Sequence, residues 1–431
     1  MDIQPCASRF FRQFYLYGTC QRTSHQCHLR SHAVKTLQRR TAGTYSRNRG
    51  EPSKGGLAWK KRQTILPEER LSEYRQYDMV TADQLRTKTR RPKRTKMLMR
   101  DFIEDSLYNP SYGYFSKEAV IFNPGEAFDF PQLRDEADFH RELGERYTTF
   151  EDELDAKEHN DTRQLWHTPT ELFRPHYAEA MARYLVSNYK LSLFPYHDLI
   201  IYEMGAGNGT FMVNVLDYIR AMDSEVYART KYRIIEISTQ LATMQTNRLA
   251  LPAADTHGHA DKVEIINRSI FAWDTYVSSP CFFLALEVID NFAHDVVRYS
   301  PATEKPLQGT VLIDAEGEFY EFYSPQLDPV AARFLRVRDA ACTFPFTHPL
   351  RWSRMMRGIR ANFPFAPNLS EPEWIPTRLM QFFDTLQKYF PAHRLLLSDF
   401  HTLPDSVPGI NAPVVQTRYQ RQTVPVSTPL V

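Results

Sequence analysis

The chain has 431 residues, 42% of them hydrophobic, and a formal net charge of +2. At ~100–200 residues per domain that length allows two or three structural units, and the near-balanced charge excludes a global field aimed at nucleic acid or an acidic surface. No window approaches the ~18–20 uninterrupted apolar residues of a membrane helix, so no membrane span is expected.

Residues 1–50 stand apart. They carry Arg9, Arg12, Arg22, Arg30, Lys35, Arg39, Arg40, Arg47 and Arg49 against one acid, Asp2, and are rich in Ser and Thr. Without an apolar h-region, this composition reads as a mitochondrial transit peptide and so predicts the matrix; the alternative is a disordered basic tail. Cys6, Cys20 and Cys27 lie there with His25 and His28. Their spacing matches no closed zinc module, so no metal is expected. Cys281 and Cys342 alone remain in the body, which gives no disulfide framework.

Residues 51–95 read as a basic linker. The stretch 84–100, "QLRTKTRRPKRTKMLMR", is a solvated approach to a helix or a patch for an acidic partner; no aromatics interleave its charges, so nucleic acid is not expected. Residues 96–195 form an N-terminal helical region. In "KMLMRDFIEDSLYNPSYGYF" (96–115), Met97, Phe102, Ile103 and Leu107 fall at helical spacing and Asn109-Pro110 ends the helix. An acidic insertion at about 118–161 follows, exposed and partly helical or disordered. A helix resumes over 168–189, capped by Thr168 or Thr170, with Glu171 three residues after Thr168.

Over 196–431 short apolar strands alternate with helices. "LIIYEMG", "KYRIIEIS", "VEIINRS", "CFFLALEVID" and "RLLLSDF" are the strands. The expected fold is α/β, a parallel sheet with helices on both faces. A β-hairpin and helical insertion (about 295–390) separates the fourth and fifth strands. After the fifth, at most one further strand is legible, so a closing antiparallel pair is irregular or missing.

"YEMGAGNGTF" (202–211) ends the first strand on Glu203 and then places Gly205, Gly207 and Gly209 at alternate positions. Parallel sheets bind ligands beyond the carboxyl ends of their strands. A dinucleotide needs Gly-x-Gly-x-x-Gly, and here the third glycine comes one residue early. Glu203 would also oppose a pyrophosphate. S-adenosylmethionine, with an amino group, a sulfonium and two ribose hydroxyls but no phosphate, suits an acid at the loop and a second acid, Glu236, at the end of strand two. Ser269, ending strand three, falls where an adenine edge would lie. An empty structural loop, with Glu203 bracing backbone amides and Glu236 capping a turn, remains the alternative.

"DFIEDSLYNPSYGYFS", "TPTELF", "EMGAGNGT", "IIEIS", "LALEVIDNFA" and "LLLSDF" together resemble the MidA-like family of mitochondrial complex I assembly-factor methyltransferases, from about residue 96 to 400. The resemblance implies a class I methyltransferase fold, S-adenosylmethionine as cofactor, and arginine methylation of a protein partner such as a respiratory complex I subunit. It carries donor binding to Gly205, Gly207, Gly209 and Glu236, and acceptor acids to Glu287 and Asp290. Ala206 stands where the family has proline, Asn291 where it has alanine, Ala293 where it has proline, and His294 lies one place before its histidine. Asp399-Phe400-His401 replaces Asp-Tyr-Gly. Two carboxylates can grip a guanidinium bidentately. Glu287 and Asp290 do so if a helical turn starts between them, with Asp399 and His401 at the next strand end; Asp290 as a helix N-cap is the alternative. These departures leave a non-catalytic assembly factor as a rival to the enzyme. An RNA methyltransferase is a weaker one, since no Asn/Asp-Pro-Pro-Tyr element follows strand four.

Overall fold

The computed structural model describes residues 70–117, 119–249, 258–301, 303–341, 350, 353, 355–356, 369–400 and 415–426. The chain divides into two compact units, residues 1–76 with 402–404 and residues 77–401 with 405–431. In the first, the described part is Arg70 and the helix Leu71–Gln76. The expected transit peptide and the start of the linker lie outside the described residues.

The second unit is built on five parallel strands, Leu199–Met204, Thr230–Glu236, Val263–Asn267, Cys281–Leu286 and His393–Ser398. Their spatial order is fifth, fourth, first, second, third. This is the order of the class I methyltransferase sheet, and the chain reverses direction across it between the first and fourth strands, where a crevice opens. All six residues of Leu199–Met204 are buried, as a strand covered on both faces must be. Leu199 and Ile201 pack under Tyr189, Phe211 and Leu216 from helices His176–Ser192 and Thr210–Met222. Ile200, Tyr202 and Met204 pack on the other face against Phe382, Leu386 and Phe390, in and just after helix Thr377–Tyr389. A period of two along the strand thus feeds two separate cores.

The insertion after strand four is larger than a hairpin. Asp295–Tyr299, Pro306–Ile313 and Phe319–Ser324 are antiparallel neighbours, and Glu373–Ile375, Thr95–Leu98 and Asp78–Met79 complete a six-stranded second sheet. Met97, read from spacing as helical, sits in a strand opposite Val311, and the helix runs Met99–Tyr108. Met97 and Met99 alternate into one core with Val311 and Ile313. Met97 lies just ahead of the helical stripe Met99, Phe102 and Ile103, and without its strand partner in view it reads as a continuation of it. The basic stretch is accordingly not a solvated approach throughout. Arg100 is buried and bridges Asp295 and Asp328; Thr377 donates to the same Asp295 oxygen as Arg100, and Gln308 donates to the other.

The acidic insertion is ordered. Helix Glu136–Lys157 buries Phe139 and Leu143. Strands Ala119–Ile121 and Gln164–Trp166 flank it as a parallel pair. The C-terminal segment holds two strands where sequence showed at most one, Val415–Tyr419 and Gln422–Val426, as a regular hairpin. It pairs with itself rather than extending the central sheet. Arg418 instead reaches Glu151 at 2.8 Å and Arg421 reaches Asp152 at 2.8 Å, so the acids that look solvated in sequence are partners for this hairpin. Among the described residues no helix is long and apolar enough to cross a membrane.

Candidate active site

The first central strand ends in a loop whose glycines are demanded by backbone geometry. Gly205, Gly207 and Gly209 have φ of +74°, +54° and +75°, a region that side chains disfavour. A Cβ on Gly207 would also meet Ile121 Cδ1 at 2.9 Å, and one on Gly205 would meet Val288 Cγ2 at 3.0 Å. The side chains are given up to turn the chain and to let two neighbouring elements press on it. From Gly209 the chain enters helix Thr210–Met222.

Glu171 fixes this loop from outside. Thr168 caps the short helix Pro169–Leu172 by accepting from the Glu171 amide. The Glu171 carboxylate, 2% exposed, accepts from Thr210 Oγ1 at 2.8 Å and Asn208 Nδ2 at 3.1 Å. The spacing Thr168–Glu171 signals a cap, and half of that expectation holds. The carboxylate's long-range task has no local signature.

Glu203 and Glu236 stand at adjacent strand ends, both buried. Glu203 accepts from Tyr232 Oη at 2.7 Å; burial pushes its carboxyl up to about 7, with Tyr232 opposing and Glu236 adding. Glu236 accepts from the Ser238 amide at 2.9 Å and is likewise pushed to about 7 by burial, against the Ser238 amide and Gln245. Gln245, from helix Thr239–Leu249, donates Nε2 to the Gly207 carbonyl at 2.8 Å and lies 3.5 Å from Glu236 Oε2. One amide therefore joins the glycine loop to the strand-two acid. Ser269, beyond the third strand, accepts from the Phe271 amide at 3.3 Å and opens a short 3-10 turn.

Glu287, Asp290 and Asp399 gather at the ends of strands four and five. The Glu287 amide donates to the Ser398 carbonyl at 2.7 Å, and Glu287 adopts φ +56°, a costly conformation for a side chain this size. Asp399 accepts from the amides of Ile289 at 3.0 Å and Asp290 at 3.1 Å through one oxygen, and from Phe400 at 2.8 Å through the other. Asp290 lies inside the 3-10 turn Ile289–Asn291, whose N-cap is Val288, so Asp290 is not the helix cap weighed from sequence. Burial drives the Glu287 carboxyl up to about 8, with Asp290 and Asp399 adding like charge. Burial, then Asp399, brings Asp290 to about 7.

Two tyrosines that sequence reasoning left out complete the wall. Tyr108, ending helix Met99–Tyr108, donates to the Asn291 carbonyl at 2.9 Å; burial, then Glu104, Asp290 and Glu236, raise its phenol. It thus lies within electrostatic reach of both the donor-side and acceptor-side acids. Tyr177 Oη lies 3.4 Å from Ser398 Oγ, and its phenol is raised by burial and Glu287. The "YNPSYGY" stretch was the available signal for Tyr108. Burial lowers the His294 imidazole, and His401 is outside the described residues.

The arrangement suits a ligand that brings hydrogen-bond donors and positive charge. Two buried acids beside the glycine loop would repel a pyrophosphate. Gln245 Oε1 is a buried acceptor with no partner, which a hydroxyl or amino donor would satisfy. Among the described residues no group of His, Cys, Asp and Glu is arranged to hold a metal ion.

Residues 180–431, more than half of the chain, match the model of a family described as S-adenosyl-L-methionine-dependent methyltransferases. The chain is 28% identical over 331 residues, 74% of its length and 67% of the relative's, to the "Protein arginine methyltransferase NDUFAF7 homolog, mitochondrial" of Schizosaccharomyces pombe. A COG1565 superfamily member from Burkholderia thailandensis, solved with S-adenosyl-homocysteine bound, is 19% identical with a TM-score of 0.37, covering 66% of this chain and 56% of that one. A native structure of a COG1565 superfamily protein from the same organism is 15% identical with a TM-score of 0.43, covering 89% and 72%.

Proposed function

The chain belongs to the family of S-adenosyl-L-methionine-dependent methyltransferases, and from that premise we propose that it methylates an arginine of a protein substrate in the mitochondrial matrix, a respiratory complex I subunit being the class of substrate. The observation that carries this reading is the gathering of Glu287, Asp290 and Asp399 at the ends of strands four and five, Glu287 and Asp399 partly buried and Asp290 open to solvent, with the Glu287 carboxyl raised by burial and then by the charges of Asp290 and Asp399. The name of the fission-yeast relative, an arginine methyltransferase homologue of mitochondria, supports the same reading.

Glu203, Gly205, Gly207, Gly209 and Glu236 would hold the donor, Glu203 toward its amino group, with Ser269 beside the adenine. The bound donor supplies an electrophilic methyl group. This chain's residues must align the nucleophile and exclude water. A guanidinium is protonated far above neutrality. Brought against Glu287 and Asp290, its positive charge offsets the desolvation, and the lesser like-charge repulsion, that raise their carboxyls, so substrate binding favours the ionised pair. The ionised pair then grips two guanidinium nitrogens and draws charge away from the third. Asp399 holds the turn that carries Asp290 and so acts as a positioning residue for it.

The test is a mitochondrial lysate from a deletion strain incubated with labelled donor and the full chain, followed by mass spectrometry of methylated arginines. Labelled arginine that disappears with Glu287→Gln supports the proposal; label on lysine or RNA, or full labelling by Glu287→Gln, rejects it. A second reading, a non-catalytic assembly factor that keeps the donor pocket, is favoured by Asp399, whose oxygens are engaged by three backbone amides. That reading expects donor binding without any transfer. A reporter carrying residues 1–50 tests the location, and a cytosolic reporter rejects it.

A further inference from the structure

We infer that Gln245 is a donor-binding residue: its Oε1 accepts a ribose hydroxyl of the methyl donor, while its Nε2 ties the glycine loop to Glu236. The inference rests on reading the loop and Glu236 as the donor site.

Gln245 projects from helix Thr239–Leu249 and is 2% exposed. The neighbours of its nitrogen are both acceptors, the Gly207 carbonyl at 2.8 Å and Glu236 Oε2 at 3.5 Å. That fixes the amide orientation, because a flipped amide would set oxygen against two oxygens. Oε1 is left buried without a partner. A buried unmade hydrogen bond is costly, so an acceptor left open beside the glycine loop and Glu236 calls for a donor from outside the chain.

The identity of the missing group follows from what surrounds it. Glu203 and Glu236 supply negative charge and acceptors, so the ligand contributes donors. The amide shares its nitrogen with Glu236, the acid placed to receive the ribose. One acceptor site on each Glu236 oxygen already faces the Ser238 amide or Gln245 Nε2, so a vicinal diol would use up the sites that remain. Gln245 Oε1 provides the additional acceptor. Its anchor on Gly207 makes the loop, the acid and the amide one rigid element, so recognition of the sugar is coupled to the loop conformation.

The experiment is calorimetric titration of the full chain, wild type and Gln245→Met, with S-adenosylhomocysteine and with its 2′-deoxy and 3′-deoxy analogues. The wild type should discriminate against both analogues. Gln245→Met should bind S-adenosylhomocysteine about tenfold more weakly, the size of one hydrogen bond to a neutral group. It should also lose that same factor of discrimination at one hydroxyl while keeping it at the other. Equal weakening toward all three ligands would make Gln245 a structural brace and overturn the inference, as would discrimination identical to wild type. Should Gln245→Met not fold, Gln245→Asn carries the same test, since it keeps an amide but withdraws it by one carbon. No binding of S-adenosylhomocysteine by the wild type would remove the donor-site reading together with this one.

Discussion

Glu287→Gln separates the electrostatics of the acceptor site from its shape. The amide keeps the size of the side chain and the same φ of +56°, so backbone strain is unchanged. The charge is removed. In the folded protein the Glu287 carboxyl sits at about 8 against an ordinary 4.5. A carboxyl raised by folding contributes stability that is fully present below its unfolded value and is lost as pH rises through its folded value. Between pH 5 and pH 8 the folded chain therefore holds a proton that the unfolded chain gives up. If the whole shift acts alone, the loss approaches about 4 kcal/mol at pH 8 and is about 1 kcal/mol at pH 5. Coupling to Asp290 spreads the loss over the pair. Glu287→Gln should remove this slope and leave the raised Asp290 carboxyl in place, since after burial it is Asp399 that raises it. A difference of about 3 kcal/mol corresponds to a shift of roughly 5 °C in a chain of this size. Thermal melts of wild type and variant at pH 5, 6.5 and 8, without donor, read it directly. The variant should melt near the wild type at pH 5 and clearly above it at pH 8. Parallel pH profiles would refute the claim that Glu287 is buried in a protonated state.

Glu236→Ala removes both the carboxylate and the acceptor for the Ser238 amide, and should weaken S-adenosylhomocysteine by roughly ten- to a hundredfold in calorimetry. Gly207→Ala adds a Cβ 2.9 Å from Ile121 Cδ1 at φ +54°, so donor affinity should fall; adding Ile121→Ala should recover the steric part and leave the backbone part. Glu151→Ala leaves Arg418 (11% exposed) without its partner and should cost about 3 kcal/mol, read as faster proteolysis of the C-terminal hairpin. Arg421→Ala, at 41% exposure, should change that rate little.

The five central strands, the glycine loop and the strand-end acids were readable in the chain because each rests on a local pattern. A strand buried on both faces is a continuous apolar run, and a left-handed turn needs glycine. The same locality explains the ambiguity at Met97, which runs into the helical stripe Met99, Phe102 and Ile103 until Val311 arrives from more than two hundred residues away. The acidic insertion read as solvent-facing for the same reason. Its charges are matched by Arg418 and Arg421, which lie at the far end of the chain. The loop clamp by Glu171 and the orphan oxygen of Gln245 had no signature in spacing, and the Tyr-rich stretch after Tyr108 did not show where Tyr108 lies. Each is a buried polar atom whose meaning is its partner, or the lack of one, across the fold. Sequence determined which residues could turn, strand or carry charge. Tertiary structure decided which of those charges were desolvated, because the carboxyls of Glu203, Glu236, Glu287 and Asp290 are moved chiefly by burial, and burial is a property of everything packed around a residue.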